Sequence, residues 1–123
     1  MNFDRAVVAH TDWKAKLRAY LATPDGSLSA PDIARDNNCV LGTWLSGEGA
    51  KYSHLPEFES VRSQHARFHQ AAAEIVRKVD SGLRLAEEVV LGTKSEFSSA
   101  SADVVNAIMS LKTEVAKKSS VSK

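Results

Sequence analysis

Apolar residues recur three and four positions apart along most of this chain, and that spacing restricts it to helices. Only three prolines and six glycines occur in 123 residues, and long stretches contain neither. The first apolar stripe runs from Phe3 through Trp13 and Leu17 to Leu21. Residues at this spacing lie on one face of an α-helix. No alternation typical of a β-strand extends over a useful length, so the sequence predicts an all-α fold.

Turn and capping residues divide the chain into four helical segments. Proline at the first position of a helix and glycine just beyond its end mark where segments begin and stop. Four segments with short joins and one apolar stripe each predict an antiparallel four-helix bundle, with a short extra helix or loop around Cys39. The expected boundaries are a turn at residues 23–27, a start at Pro31, an end or loosening of the helix at 46–49, a start at Pro56, a stop at 80–82, a restart at Leu83 and a break or kink at Gly92.

Size, charge and cysteine content limit the classes of function. A chain of 123 residues is one domain, and its net charge of +1 provides no field for nucleic acid. A single cysteine cannot form an internal disulfide. The N-terminus shows no apolar region of a signal peptide, and no run approaches the roughly 18 apolar residues of a membrane span. We expect a cytoplasmic protein with neither nucleic acid nor a membrane as its partner.

Four side chains that bind soft metals stand among the apolar residues. His65 and His69 lie four apart in a helical stretch, so they share one face with a rise of roughly 6 Å between them. His10 lies on the first apolar stripe, and Cys39 is the single cysteine. Three imidazoles and one thiolate suit a tetrahedral zinc ion, which would also offset the cost of burying the histidines. The sequence predicts a zinc site made of His10, Cys39, His65 and His69, provided that the segments bring them together.

Each of these residues also has an interpretation without a metal. His10 alone is typical of a hydrogen-bonded core histidine, the pair on the third segment could be a solvated surface pair, and Cys39 could be a small buried apolar residue. His54 lies in a polar loop, and we expect it to be exposed or to cap a helix. Trp13 and Trp44 are interpreted as core packing that forms a dry, rigid wall around the site.

Several short motifs occur in a specific order along the chain. They are H-x-x-W at 10–13, C-x-L-G-x-W-L at 39–45, G-E-G at 47–49, L-P-x-F at 55–58, H-x-x-F-H at 65–69 and S-E-F at 95–97 with Ser101. This order resembles the chemoreceptor zinc-binding (CZB) domain family of bacteria over nearly the whole chain. Residues 1–118 are accordingly expected to form a CZB-like zinc-binding helical domain, followed by a disordered basic tail at 119–123.

The resemblance implies more than the spacing does. Members of the family bind one zinc ion through three histidines and one cysteine, here His10, His65, His69 and Cys39, within a four-helix bundle that is often a homodimer. They are usually attached to cytoplasmic chemoreceptors or diguanylate cyclases and report zinc level or oxidant, notably hypochlorous acid. This chain has no signalling coiled coil or cyclase domain, and its start at Met1 favours a free-standing member over an excised domain.

Three functions are compatible with such a site. The first is a regulatory sensor, not an enzyme, in which Cys39 is also a redox-sensing thiolate because it is the one oxidisable ligand among inert imidazoles. The second is a purely structural zinc in a protein-interaction domain. The third is a zinc hydrolase, which needs an open coordination position and a nearby general base. Residues 66–68 supply no acid between the paired histidines, and the apolar stripes lack the four glutamates of a di-iron bundle.

Overall fold

All regular secondary structure described for this chain is helical, which confirms the predicted all-α class. The structure is a computed structural model that describes residues 1–35 and 39–121, with side chains described as far as residue 117. Its elements are α1 (Phe3–Thr11), α2 (Trp13–Ala22), α3 (Ala30–Ala34), α4 (Val40–Ser46), a 3₁₀ helix (Glu48–Tyr52), α5 (Pro56–Asp80), α6 (Glu87–Leu91) and α7 (Glu96–Val121).

The first predicted segment forms two helices in near continuity. Asp12 separates α1 from α2 but keeps right-handed helical angles, and its N–H still donates to Val8 O at 2.9 Å. Helix α2 then ends at Ala22, because Thr23, just before Pro24, leaves the helical region with φ −140° and ψ 83°. The residue before a proline is disfavoured in the helical region. The predicted turn at 23–27 therefore begins where the sequence places it.

The second predicted segment is two short helices instead of one. Ser29 caps α3 by accepting from Asp32 N–H at 3.4 Å, as the start at Pro31 required. The backbone becomes extended at Arg35, so α3 stops at Ala34. Residues 36–38 of the predicted helix lie outside the described residues. Cys39 then precedes α4 as its N-cap residue, which is the short extra helix expected at this point.

The third segment agrees with the prediction, and the fourth is shorter at its start. Helix α5 begins at Pro56 and ends at Asp80, close to Gly82, which has a φ of 94°. Leu83 does not restart a helix and is 56% exposed, so its predicted place on the last stripe is wrong. Gly92 separates α6 from α7, and a Cβ there would collide with the Glu88 carbonyl oxygen. The expected break at Gly92 is thus confirmed.

Helices α5 and α7 run antiparallel through the bundle. Arg67 in the middle of α5 binds Glu96 and Asp103 near the start of α7, at 2.8 and 2.7 Å. Ser60, near the start of α5, lines a groove together with Ser110, which lies further along α7. The residue numbers therefore rise in one helix as they fall in the other. Burial on α5 repeats along its predicted stripe, which comprises Phe58, Val61, His65, Phe68, His69, Ala72, Ile75, Val76 and Val79.

The remaining helices alternate in direction around this pair. Lys112 Nζ lies 2.8 Å from Asp4 Oδ1, so the start of α1 meets the later part of α7. The Tyr20 hydroxyl donates to Asp80 Oδ1 at 2.6 Å, so α2 and α5 end at the same side of the bundle. Helices α3 and α4 pack on α5, and Ile33 meets His69 whereas the later Cys39 meets the earlier His65, so this segment runs opposite to α5. The four chain segments thus alternate up and down, as the sequence predicts.

No helix in the described part of the chain is long and apolar enough to cross a membrane. Helix α7 is described to Val121. Residues 122–123 and the side chains from residue 118 onward lie outside the described part of the chain. The division into a domain at 1–118 and a disordered basic tail at 119–123 stays a prediction.

Candidate metal centre

The single thiol sits where α4 begins. Cys39 has extended backbone angles as the N-cap of α4, and its Sγ accepts from the Gly42 N–H at 3.4 Å. This local bond fixes the sulfur at the first turn of the helix. Cys39 Sγ also lies 3.1 Å from His65 Nε2 and 3.7 Å from His69 Nε2, so it faces α5.

The two histidines of α5 converge as their spacing predicted. The ring centroids of His65 and His69 are 4.5 Å apart, and their Nε2 atoms are 3.0 Å apart. Both side chains are buried, with 0% and 4% of their surface exposed. The interpretation of this pair as a solvated surface pair is therefore wrong.

The third histidine comes from the last turn of α1. The ring centroid of His10 lies 4.9 Å from that of His65 and 5.6 Å from that of His69. Its side chain is 2% exposed. His10 is therefore a core histidine in its burial, but its ring is aimed at two other imidazoles.

All four predicted residues meet in one place. One donor atom from each of His10, Cys39, His65 and His69 lies within 4.8 Å of the others. Bond lengths of about 2.0–2.1 Å from zinc to nitrogen and about 2.3 Å to sulfur, in a tetrahedron, put the donors roughly 3.3–3.6 Å apart. The separations among the donors of Cys39, His65 and His69, at 3.0, 3.1 and 3.7 Å, bracket that range. The cluster is thus able to hold a metal ion, and His54, which is exposed in the loop before α5, lies outside it.

Main-chain carbonyls orient two of the rings. His10 Nδ1 donates to Ala6 O at 2.7 Å, and His69 Nδ1 donates to Ile33 O at 2.8 Å. A carbonyl oxygen can only accept, so Nδ1 must carry the proton in each neutral ring. The Nε2 lone pair is then available to a metal. Sequence reasoning missed Ala6 and Ile33, because a main-chain acceptor has no side-chain signal.

The third ring is buried without such a partner among the described residues. His65 Nδ1 is enclosed and has no hydrogen bond there, whereas its Nε2 faces Cys39 and His69. Burial, together with the smaller effects of the neighbouring His69 and His10, lowers the pKa of His65 from 6.5 to about 3. Burial also lowers the pKa of His10, against the opposing effect of its bond to Ala6. Both rings are therefore neutral at pH 7, as ligation requires.

An aromatic side chain that contacts the site directly is Phe68. The Phe68 ring meets His10 edge to face at 5.2 Å between centroids and His69 at 5.7 Å. Trp44 instead packs its ring against Phe3 and Tyr52, at 5.3 and 6.0 Å. Phe68 was predicted only as part of the α5 stripe.

A glycine packs closely against Trp44, and a lysine lies over the ring of Trp13. A Cβ on Gly49 would come within 2.6 Å of the Trp44 ring, so the 3₁₀ helix approaches that indole as only glycine can. The Lys16 ammonium stands 4.7 Å above the ring of Trp13, on α2. Both tryptophans are partly buried against the hydrophobic core, as the interpretation of core packing predicts.

The fold and the cluster together define a helical metal-binding domain. A family model described as the chemoreceptor zinc-binding domain matches residues 10–76, more than half of the chain. The chain belongs to the chemoreceptor zinc-binding domain family. All four residues of the cluster fall within the match, whereas the motif at 95–101 that supported the resemblance lies beyond it. Comparisons of the chain with curated proteins and with solved structures give no match.

Membership confirms the predicted family and its cofactor, zinc. Domains of this family are regulatory sensors that act in chemoreceptors or other signalling proteins. The neutral imidazoles and the thiol supply the nitrogen and sulfur donors that zinc favours. The donor chemistry of the cluster and the family match therefore agree on the same ion.

The lowered pKa of His65 predicts that the metal-free protein loses stability in acid. The unfolded ring takes up a proton near 6.5, whereas the folded ring does so only at about 3. Between these values the unfolded state binds more protons, so the free energy of unfolding falls as the pH drops from 6.5 toward 3. In urea unfolding of chelator-treated protein, His65→Gln should show a shallower decline, because glutamine cannot take up that proton. Equal slopes for the two proteins would contradict the pKa assignment.

Proposed function

We propose that this chain is a regulatory zinc sensor in which His10, Cys39, His65 and His69 bind one zinc ion. The observation that carries the proposal is the convergence of one donor atom from each residue within 4.8 Å. The donors come from α1, α5 and the N-cap of α4, which are distant in sequence. Membership of a zinc-binding sensor family supports the same assignment.

The residues of the cluster do different work in this proposal. Zinc, when bound, supplies a closed four-coordinate link between parts of the chain. Cys39 binds as the thiolate, so it releases a proton and the affinity rises with pH. The three neutral imidazoles supply lone pairs and need no such release. Because the donors belong to three elements, α1, α4 and α5 pack differently with and without the ion. Zinc therefore binds one of the two packings more tightly than the other, and a switch requires this difference in affinity.

Four protein donors support a regulatory role over a catalytic one. A hydrolase keeps one coordination position for water beside a general base. Here the cluster offers enough donors to fill a tetrahedron, and residues 66–68 between the histidines are alanine, arginine and phenylalanine. We therefore assign no catalytic residue.

The thiolate gives the sensor a second input, namely oxidant. Cys39 is partly exposed as a residue, whereas the three histidines of the cluster are buried, which supports the cysteine as the ligand open to an oxidant. Hypochlorous acid would take two electrons from the thiolate: RS⁻ + HOCl → RSOH + Cl⁻. The sulfenic acid is a poorer ligand than the thiolate. Cys39 and α4 would then leave the cluster, while the histidines retain the ion.

The output is proposed to be a chemotaxis or cyclic-di-GMP response. A homodimer of this domain would act on a chemoreceptor or a diguanylate cyclase, which is the usual setting of the family as the sequence resemblance implies. We place the protein in the cytoplasm, because a reducing compartment keeps the Cys39 thiol available to bind zinc.

Metal analysis and chelator competition test the donor set. We expect one zinc ion per chain. Replacing Cys39 by serine, or any of the three histidines by alanine, should weaken zinc binding beyond the roughly 10–100-fold cost of losing an outer hydrogen bond. The matched control is His54→Ala, because His54 is exposed and outside the cluster. Reduced stoichiometry in that control, or wild-type affinity in Cys39→Ser, would mean that the donors are misassigned.

Chelation distinguishes a sensor from a structural zinc domain and from a hydrolase. The apolar core between α5 and α7 includes fully buried Phe68, Val104, Ile108 and Leu111 and needs no metal. We therefore expect the helical circular dichroism signal to persist without zinc, while exchange of amide hydrogens around the cluster accelerates. Loss of the helical signal would favour the structural role, and zinc-dependent turnover of an ester or peptide substrate would favour the hydrolase.

Hydrogen exchange after oxidation tests the redox input. Treatment of the zinc-loaded protein with hypochlorous acid should oxidise Cys39 and speed amide exchange in α4, because the helix loses its connection to α5. Cys39→Ser should show no oxidant-dependent change in α4. The redox proposal fails if mass spectrometry finds oxidised Cys39 while exchange in α4 is unaltered.

A further inference from the structure

The chain between α2 and α5 reaches the histidine pair at two separate points. Cys39 Sγ lies 3.1 Å from His65 Nε2, which is the contact already described. Six residues earlier, Ile33 O accepts from His69 Nδ1 at 2.8 Å. The Cys39 sulfur is a side-chain ligand for the ion. The Ile33 oxygen is a main-chain acceptor that binds the far side of the His69 ring.

The carbonyl of Ile33 is available because α3 ends so early. Ile33 lies in the last turn of α3, where carbonyl oxygens have no partner within the helix. The chain becomes extended at Arg35, whose N–H turns back to Asp32 O at 3.2 Å. The Ile33 side chain is 7% exposed, so its carbonyl lies in a buried region where an unpaired acceptor would be costly. The His69 ring satisfies it.

The hydrogen bond from His10 Nδ1, in contrast, stays within one helix. His10 donates to Ala6 O, four residues earlier on the same helix. That bond orients the ring but connects α1 only to itself. The bond from His69 connects α5 to α3, which is a different element of the fold.

We infer that Ile33 is a positioning residue of the metal site, and that its carbonyl couples the docking of α3 to metal occupancy by a route that does not pass through Cys39. The inference rests on the proposed function. The Ile33 carbonyl holds the proton on His69 Nδ1 and so turns Nε2 toward the other donors. Conversely, a ring whose Nε2 is bound to a cation is a stronger donor through Nδ1–H, so loading strengthens the bond to α3.

Two attachments that respond to different events give the site three states. With zinc and thiolate in place, α3 and α4 are both held on α5. Loss of the thiolate alone releases α4 and leaves α3 docked through His69. Loss of the metal releases α4 and also weakens the attachment of α3. Oxidant and zinc depletion therefore leave the protein in different conformations.

Amide exchange in α3 tests the coupling. The Ile33 N–H bonds to Ser29 O and the Arg35 N–H to Asp32 O, so both report whether α3 is formed. In the full chain, added Zn²⁺ should slow exchange at these amides by between about two- and tenfold, the range expected for one strengthened hydrogen bond. At saturating Zn²⁺, Cys39→Ser should keep at least half of that slowing while α4 exchanges fast. Slowing of α3 that disappears in Cys39→Ser would overturn the inference.

A matched pair of variants tests the hydrogen bond itself without metal. The amide nitrogen of asparagine occupies nearly the place of the histidine Nδ1, so His69→Asn keeps a donor to Ile33 O but removes the ligand. His69→Ala removes both. In chelated protein, α3 should exchange faster in His69→Ala than in His69→Asn, and Zn²⁺ should alter α3 exchange in neither. Equal exchange in the two variants would overturn the role of Ile33.

The two proposals fail in different ways. If the wild-type chain binds no zinc, the sensor proposal fails and the coupling fails with it, but the metal-free comparison of the two His69 variants still decides the hydrogen bond. If zinc binds through the four predicted donors while α3 exchange is unchanged, the sensor proposal stands and the coupling is wrong.

Discussion

The burial of three imidazole rings against one another is the constraint on which this structure depends. Rings whose centroids lie 4.5–5.6 Å apart in an apolar interior cannot all be charged, and burial accordingly lowers the pKa of His10 and of His65. Polar groups buried in an apolar interior are costly unless they are bound, and the Nε2 atoms of His65 and His69 face each other and the Cys39 sulfur. A cation among the Nε2 atoms, completed by the Cys39 sulfur, resolves that cost. The helices around the site are positioned to bring these donors together.

Helix α5 organises the bundle because its two faces hold different partners. His65 and His69 lie on the face toward the site, and Arg67, between them in sequence, points to α7. Its guanidinium meets Glu96, Asp103 and Ser99 within 3.1 Å, which sets the register of α7. Such partly exposed ion pairs contribute little stability individually, but a forked network fixes geometry. The start of α7 is thereby held at the level of the metal-binding cluster.

The sequence predicts the features that side-chain pattern controls. The stripe of α5, the pairing of His65 with His69 and the break at Gly92 all follow from spacing or from backbone restriction, and the structure has each of them. The division of the second segment at Arg35 depends on how the chain folds back onto α5. The spacing of apolar residues within the segment therefore does not predict it. The Ile33 carbonyl could not be found for the same reason, since any residue type offers that atom. Leu83 looked like a stripe residue but lies in the link before α6, where no neighbour covers it well.

The position of Trp44 gives the molecule an optical property of its own. The indole belongs to α4, the same helix that begins after Cys39, and it packs edge to face on Phe3 and stacks on Tyr52. Trp13 belongs to a different helix, α2, where it lies beside the Lys16 ammonium. If oxidation of Cys39 releases α4 from α5 as proposed, the surroundings of Trp44 would change. Intrinsic fluorescence would thus report the position of α4, the helix that Cys39 caps, with no dye attached.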